Sequence, residues 1–227
     1  MITTCLHIPE CILHLRWESV TAPRNFPSPP INLDIGFDII NNARILNESI
    51  RDMAGLSEET KSLIRDYTAC GLTAELTQYA RISCELQQEF CPETRAQLSF
   101  NMSQLDLATS QRGRWRHLYR GVERTKDGWE AYQVGDEILW PGYASATQDL
   151  RSAVEFSQCD ERDPSLLGVI YEIFTPSGIE ICSISDFANE LECLLPRGKR
   201  FIIKDKQLMT AKAGQRGIVR LESLNAP

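Results

Sequence analysis

Along the first half of the chain apolar side chains recur at alternating steps of four and three (Ile35, Ile39, Ala43, Leu46, Ile50, Met53), the spacing of one helix face, and Gly55 stops the run. Ser57 followed by Glu58 and Glu59 predicts a second helix, with a capping hydroxyl and acidic residues at the positive end of its dipole, closing at Gly71. Leu72, Leu76, Tyr79, Leu86 and Phe90 mark a third helix; Leu98, Met102 and Leu105 mark a fourth, starting near Pro92. From residue 115 the period changes. Short β-branched and aromatic runs at 117–122, 137–145, 167–175, 178–184, 192–196, 199–205 and 216–222 predict strands, and Gln148–Phe156 reads as a helix among them. Helices first and strands afterwards predict an α+β fold, with an N-terminal helical region packed on a mixed sheet or sandwich.

Residues 22–33 carry four prolines and predict an extended connector, so 1–33 are an arm and connector and 34–227 one domain, with a helical part over 34–112 and a β-rich part over 113–227. There is no internal repeat and no low-complexity tract.

A 227-residue chain that is 42% hydrophobic can bury a core, and its net charge of −7 argues against nucleic acid as a partner. No apolar run approaches the roughly 18 residues of a membrane span. The opening MITTCLHIPECILHLRW lacks a basic n-region, and Pro9 and Glu10 interrupt its apolar stretch, so no signal peptide is expected. The expected location is cytoplasmic, or outside the producing cell by export without a cleavable signal. Eight scattered cysteines are expected to be free thiols. Cys5, His7, Cys11 and His14 offer four potential zinc ligands, but their spacing fits no common finger, and no metal is expected. Basic residues between Arg197 and Arg220 read as solvated strand faces, or as a surface for an acidic partner.

The candidate chemistry centres on Glu190-Leu191-Glu192. In an extended chain alternation sets both carboxylates on one face, where like charges raise one pKa and suit a site that manages a cation or a proton; solvated strand faces also carry such pairs. Two upstream segments change the balance. His117-Leu118-Tyr119-Arg120-Gly121-Val122 is an apolar strand delivering one arginine, and Trp140-Pro141-Gly142-Tyr143-Ala144-Ser145-Ala146-Thr147 ends a strand in hydroxyls before a helix.

In that order, these segments resemble the Arg-Ser-Glu class of mono-ADP-ribosyltransferases, which includes bacterial toxins and effectors and the vertebrate ecto-enzymes; the resemblance covers residues 115–204. It implies the split NAD-binding sandwich of that family, NAD as co-substrate, and transfer of ADP-ribose to a target protein, expected to be a host protein. Under it Glu192 matches the catalytic glutamate, Ser145 the serine that positions it, and Arg120 the arginine that takes an NAD phosphate in a fork geometry. The backbone of Gly121 would lie against nicotinamide, and Thr147 and Phe156 would line the NAD site. Glu190 matches the acidic position of the substrate-recognition loop, which implies an arginine acceptor, with Phe187 as the loop-tip aromatic or a core aromatic. Arg162 is a candidate for the second phosphate or a solvated loop charge. The usual Ser-Thr-Ser stands here as Ser145-Ala146-Thr147, so the middle hydroxyl is missing. An NAD glycohydrolase and an inactive protein-binding module remain as alternatives.

Overall fold

The computed structural model describes residues 39–68, 92–110, 115–158, 163–211 and 214–224. The arm and connector, the Cys5/His7/Cys11/His14 set, the expected third helix and Arg162 lie outside them. Among the described residues three helices come first: α1 (Ile39–Ala54), α2 (Glu58–Thr68) and α3 (Pro92–Thr109). They are followed by β1 (Arg116–Thr125), α4 (Lys126–Glu130), β2 (Glu137–Trp140), β3 (Ala144–Thr147), α5 (Leu150–Phe156), β4 (Leu166–Thr175), β5 (Ile179–Glu180), β6 (Glu192–Leu195), β7 (Lys199–Ala211) and β8 (Gly214–Ser223). The fold is α+β, as expected: an eight-stranded sheet in the order β2-β7-β8-β4-β1-β3-β6-β5, with β4 and β8 parallel and the other pairs antiparallel.

Two halves of this sheet meet at a seam. β1 pairs with β4 over its whole length, yet with β3 at one position, Tyr119 opposite Thr147. Leu118, Tyr171, Ile173 and Val219 from one half pack in one cluster with Ala144, Ala146, Cys193 and Leu195 from the other. Burial of a large apolar side chain contributes about 1.5–3 kcal/mol, so this shared core holds the halves together where the backbone ladder is thin.

The expected strand over 137–145 is two strands. Pro141 has no N–H to give a ladder, and the chain turns at Pro141-Gly142, leaving β2 paired with β7 at one edge and β3 paired with β6 near the other. The Tyr143 hydroxyl donates to Asp106 Oδ1 at 2.7 Å, and Tyr67 donates to Tyr143 O at 3.2 Å, fixing the entry to β3 against α2 and α3. The expected strand over 178–184 shortens to Ile179–Glu180, and the one expected over 199–205 runs to Ala211, through an irregularity between Ile203 and Asp205, because β8 pairs with it along its length.

α2 begins as the sequence indicates, with Thr60 N donating to Ser57 Oγ at 3.1 Å, and its expected close at Gly71 lies outside the described residues. In α3, Leu98, Met102 and Leu105 are buried against Ile64, Tyr67 and Leu194. α1 departs from its apolar pattern. Leu46 and Ile50 are 42% and 53% exposed, whereas Ile45, Glu48, Ser49 and Met53 are buried. The cause is β5, an edge strand whose outward polar groups need partners. Ser49 Oγ donates to Glu180 O at 2.9 Å and Asp52 Oδ2 accepts from Glu180 N at 3.0 Å, so α1 turns a polar seam to the sheet. No helix among the described residues is long and apolar enough to cross a membrane.

Candidate active site

β1, β3 and β6 bring Arg120, Ser145, Thr147 and Glu192 to the seam. Thr147 stands directly opposite Glu192 across the β3–β6 ladder, and alternation along β3 puts Ser145 on the same face. Glu192 is 7% exposed. Burial pushes its carboxyl above the usual range; the Ser145 hydroxyl pulls it back, the Glu190 charge pushes it up again, and the Arg120 guanidinium draws it down. It is thus a buried carboxylate with a hydroxyl, a cation and a competing anion around it.

The extended geometry expected for Glu190-Leu191-Glu192 is not what the chain adopts. Ala188–Glu190 form a single 3-10 turn, and Leu191 is left-handed at φ 49°, ψ 48°, a conformation costing roughly 1–2 kcal/mol for a residue with a Cβ. It is the one non-glycine residue at positive φ among those described. Leu191 is buried beside Ile45 and Cys182, Thr147 Oγ1 donates to Glu190 O at 2.5 Å, and Gln148 N donates to Leu191 O at 3.4 Å. Packing and hydrogen bonds therefore offset the backbone cost. The two carboxylates differ as a result: Glu192 is enclosed in the strand, and Glu190 sits half-buried on the turn. Burial, and then the Glu155 charge, raise the pKa of Glu190.

Arg120 Nη1 donates to Ser145 O at 2.5 Å, and its guanidinium lies 5.9 Å from the centre of the Trp140 ring. The arginine thus crosses the seam to the strand carrying the hydroxyls. A Cβ on Gly121 would stand 1.8 Å from Ala153 O, so close packing of α5 onto β1 is what requires glycine there. Phe187 is 49% exposed on the loop before the 3-10 turn, which removes the core-aromatic alternative, and Phe156 is 57% exposed at the end of α5. Ala146 faces away from Ser145 and Thr147, buried in the core cluster with Cys193. A hydroxyl at that position would point away from Glu192. No group of three or more His, Cys, Asp or Glu among the described residues is arranged to hold a metal ion.

Sequence reasoning missed the support behind these residues. Gln148 Nε2 donates to Glu180 Oε1 at 2.7 Å, and Arg116 Nε donates to the same oxygen at 3.1 Å. The signal was present in Gly178-Ile179-Glu180-Ile181-Cys182, where a lone carboxylate interrupts an apolar strand.

No family model and no curated protein matches the sequence. Solved structures do match the fold. The Vis toxin, an ADP-ribosyltransferase from Vibrio splendidus, superposes with a TM-score of 0.63 in its complex with the M6 inhibitor, at 17% identity over 82% of this chain and 83% of that one. Plx2a, an ADP-ribosyltransferase toxin from Paenibacillus larvae, gives 0.61 at 19% identity over 82% of this chain and 98% of that one. Exoenzyme S from Pseudomonas aeruginosa, bound to carba-NAD, gives 0.52 at 18% identity over 79% and 88%. The chain has the ADP-ribosyltransferase fold.

Proposed function

We propose that the protein is an NAD-dependent mono-ADP-ribosyltransferase that transfers ADP-ribose from NAD to an arginine side chain of a target protein and releases nicotinamide. The observation that carries this reading is the buried Glu192 carboxylate, on the same face of the β3–β6 pair as Ser145 and beside the seam that Arg120 crosses. In the reaction the bond between the nicotinamide nitrogen and ribose C1′ breaks, nicotinamide leaves with the electron pair, and positive charge develops on the ribose. Glu192 stabilises that charge and holds the ribose 2′-hydroxyl, acting mainly in the transition state. Ser145 keeps the carboxylate aimed. Arg120 takes a phosphate oxygen, and Thr147 and Phe156 border the NAD site, together with the backbone of Gly121. Glu190 orients the incoming guanidinium and accepts its proton as the new bond forms at C1′, its raised pKa suiting a proton acceptor. Phe187 offers an exposed aromatic face to the target.

The ADP-ribosyltransferase fold shared with toxins and the carba-NAD complex of Exoenzyme S support NAD as co-substrate. Agmatine, which carries a guanidinium, is bound in one structure of Vis, in keeping with an arginine acceptor here. The same neighbours support an effector or toxin role on a host protein, reached by export. The inward direction of Ala146 weighs against the inactive-module alternative, because the missing hydroxyl would not reach Glu192.

Incubation with NAD and agmatine, followed by mass spectrometry, tests the proposal. ADP-ribosyl-agmatine is the expected product. Free ADP-ribose alone would indicate a glycohydrolase, and unchanged NAD a binding module.

A further inference from the structure

A buried polar cluster lies behind the Glu190–Glu192 turn and spans the seam of the sheet. Glu180 is fully buried on β5, opposite Cys193 and so one residue along from Glu192. Its Oε1 accepts from Arg116 Nε at 3.1 Å and from Gln148 Nε2 at 2.7 Å. Arg116, at the start of β1, belongs to the strand that carries Arg120. Its Nη2 also donates to Asp52 Oδ2 at 3.4 Å. Gln148 completes the link: its side-chain oxygen accepts from Arg44 Nη2 at 3.1 Å, and its backbone N–H donates to Leu191 O. Ile181 N donates to Glu192 O at 2.9 Å, tying the residue after Glu180 to the reactive carboxylate's own backbone.

Such a cluster is costly to bury. Desolvation pushes the Glu180 carboxyl up, opposed first by the Arg116 charge, and Glu180 Oε2 and Arg116 Nη1 are buried without a hydrogen-bond partner. Buried ion pairs seldom add stability over apolar packing of the same volume, so a positional role is the physical reason to look for. The seam supplies one. β1 and β3 share a single paired position, so the backbone alone defines the offset between Arg120 and Glu192 weakly.

We infer that Arg116, Glu180 and Gln148 form a clamp of positioning residues that sets the Glu192 carboxylate relative to Arg120 across the seam. The inference rests on the transferase reading for its catalytic consequence, while the clamp itself is a structural claim. Misplacing a catalytic group by about 1 Å can cost on the order of a hundredfold in rate, so loss of the clamp acts on turnover more than on NAD binding.

Two variants test it. Glu180→Gln removes the charge that Arg116 faces and risks unfolding. Gln148→Met keeps the ion pair, the side-chain length and the backbone bond to Leu191 O, but removes the side-chain bonds that tie this anchor of the turn to Glu180 and Arg44. For Gln148→Met, kcat for NAD cleavage falls about tenfold or more while KM for NAD stays within about twofold. Backbone amides of residues 186–195 exchange hydrogen faster, and those of β4 and β8 are unchanged. Unchanged exchange in folded Gln148→Met overturns the clamp, and faster exchange with unchanged kcat removes its positioning role. A wild-type protein that does not cleave NAD defeats the transferase reading, and the exchange measurement then judges the clamp alone.

Discussion

Thr147 and Glu190 are joined by a hydrogen bond of 2.5 Å, from the threonine hydroxyl to the glutamate's backbone carbonyl, while the same hydroxyl accepts from Asp149 N at 2.8 Å. One side chain therefore fastens the end of β3, the N-cap of α5 and the turn between the two carboxylates. Thr147→Val keeps the shape and deletes both bonds, leaving half-buried backbone groups unsatisfied at about 1–3 kcal/mol. Urea unfolding will show that loss, with transfer to protein falling more than NAD affinity. Thr147→Ser should retain most of both.

Glu190 and Glu192 occupy different environments, and their substitutions should separate two activities. Glu190→Ala is expected to abolish transfer to an arginine acceptor yet keep much of the NAD hydrolysis, since water attacks without a positioning carboxylate. Parallel assays of ADP-ribosyl-agmatine and free ADP-ribose measure the split. Equal loss of both would mean that Glu190 supports the turn or the NAD site.

The raised pKa of Glu192, caused first by burial, has a signed consequence for stability. A carboxyl whose folded pKa lies above its unfolded value contributes stability that is fully present below the unfolded pKa and lost as pH rises through the folded one. Glu192→Gln cannot ionise and escapes that loss. Its Tm should exceed that of wild type by a few degrees near about pH 8, and the gap should narrow as pH falls below the ordinary carboxylate range. Glu172, buried but pulled below its usual range by hydrogen bonds from His117 and Arg220, responds in the opposite sense in both proteins and so cancels in the comparison. Calorimetry across pH reads the result. A gap that widens toward acid would contradict the assigned direction.

Arg120→Ala is expected to weaken NAD binding, because a charge-assisted hydrogen bond to phosphate contributes about 1.5–3 kcal/mol, roughly tenfold to a hundredfold in Kd. Arg120→Lys should restore it incompletely. A single ammonium cannot hold Ser145 O and a phosphate oxygen in one plane while lying over Trp140. Titration of NAD by calorimetry measures both.

The periodicity of Leu98, Met102 and Leu105 located α3 and its buried face, because a helix packed on an apolar cluster obeys its own spacing. The same reasoning turned Leu46 and Ile50 of α1 inward, where the structure exposes both and buries Met53 of that row. The partner of α1 is the polar edge of β5, and nothing local to Leu46 or Ile50 reports that Ser49 and Asp52 will be needed there. The placement of Arg120, Ser145 and Glu192 on strands was legible, since each sits in or at the end of a strand run. The left-handed Leu191 was not: leucine carries no signal for positive φ, and the conformation is imposed by Thr147, Gln148 and the packing of Leu191 itself. Arg116, Glu180 and Gln148 lie 64 and 32 positions apart in their contacts, a separation over which a single sequence shows no pairing.

Nicotinamide release from NAD by the wild-type protein and by Glu192→Gln, under saturating NAD and with agmatine present, bears most directly on the assignment of Glu192. Wild type should release nicotinamide steadily, and Glu192→Gln should do so on the order of a hundredfold to a thousandfold more slowly with NAD affinity within a few-fold of wild type. Release by the folded variant within about tenfold of wild type, or none by wild type, would contradict a catalytic role for that carboxylate.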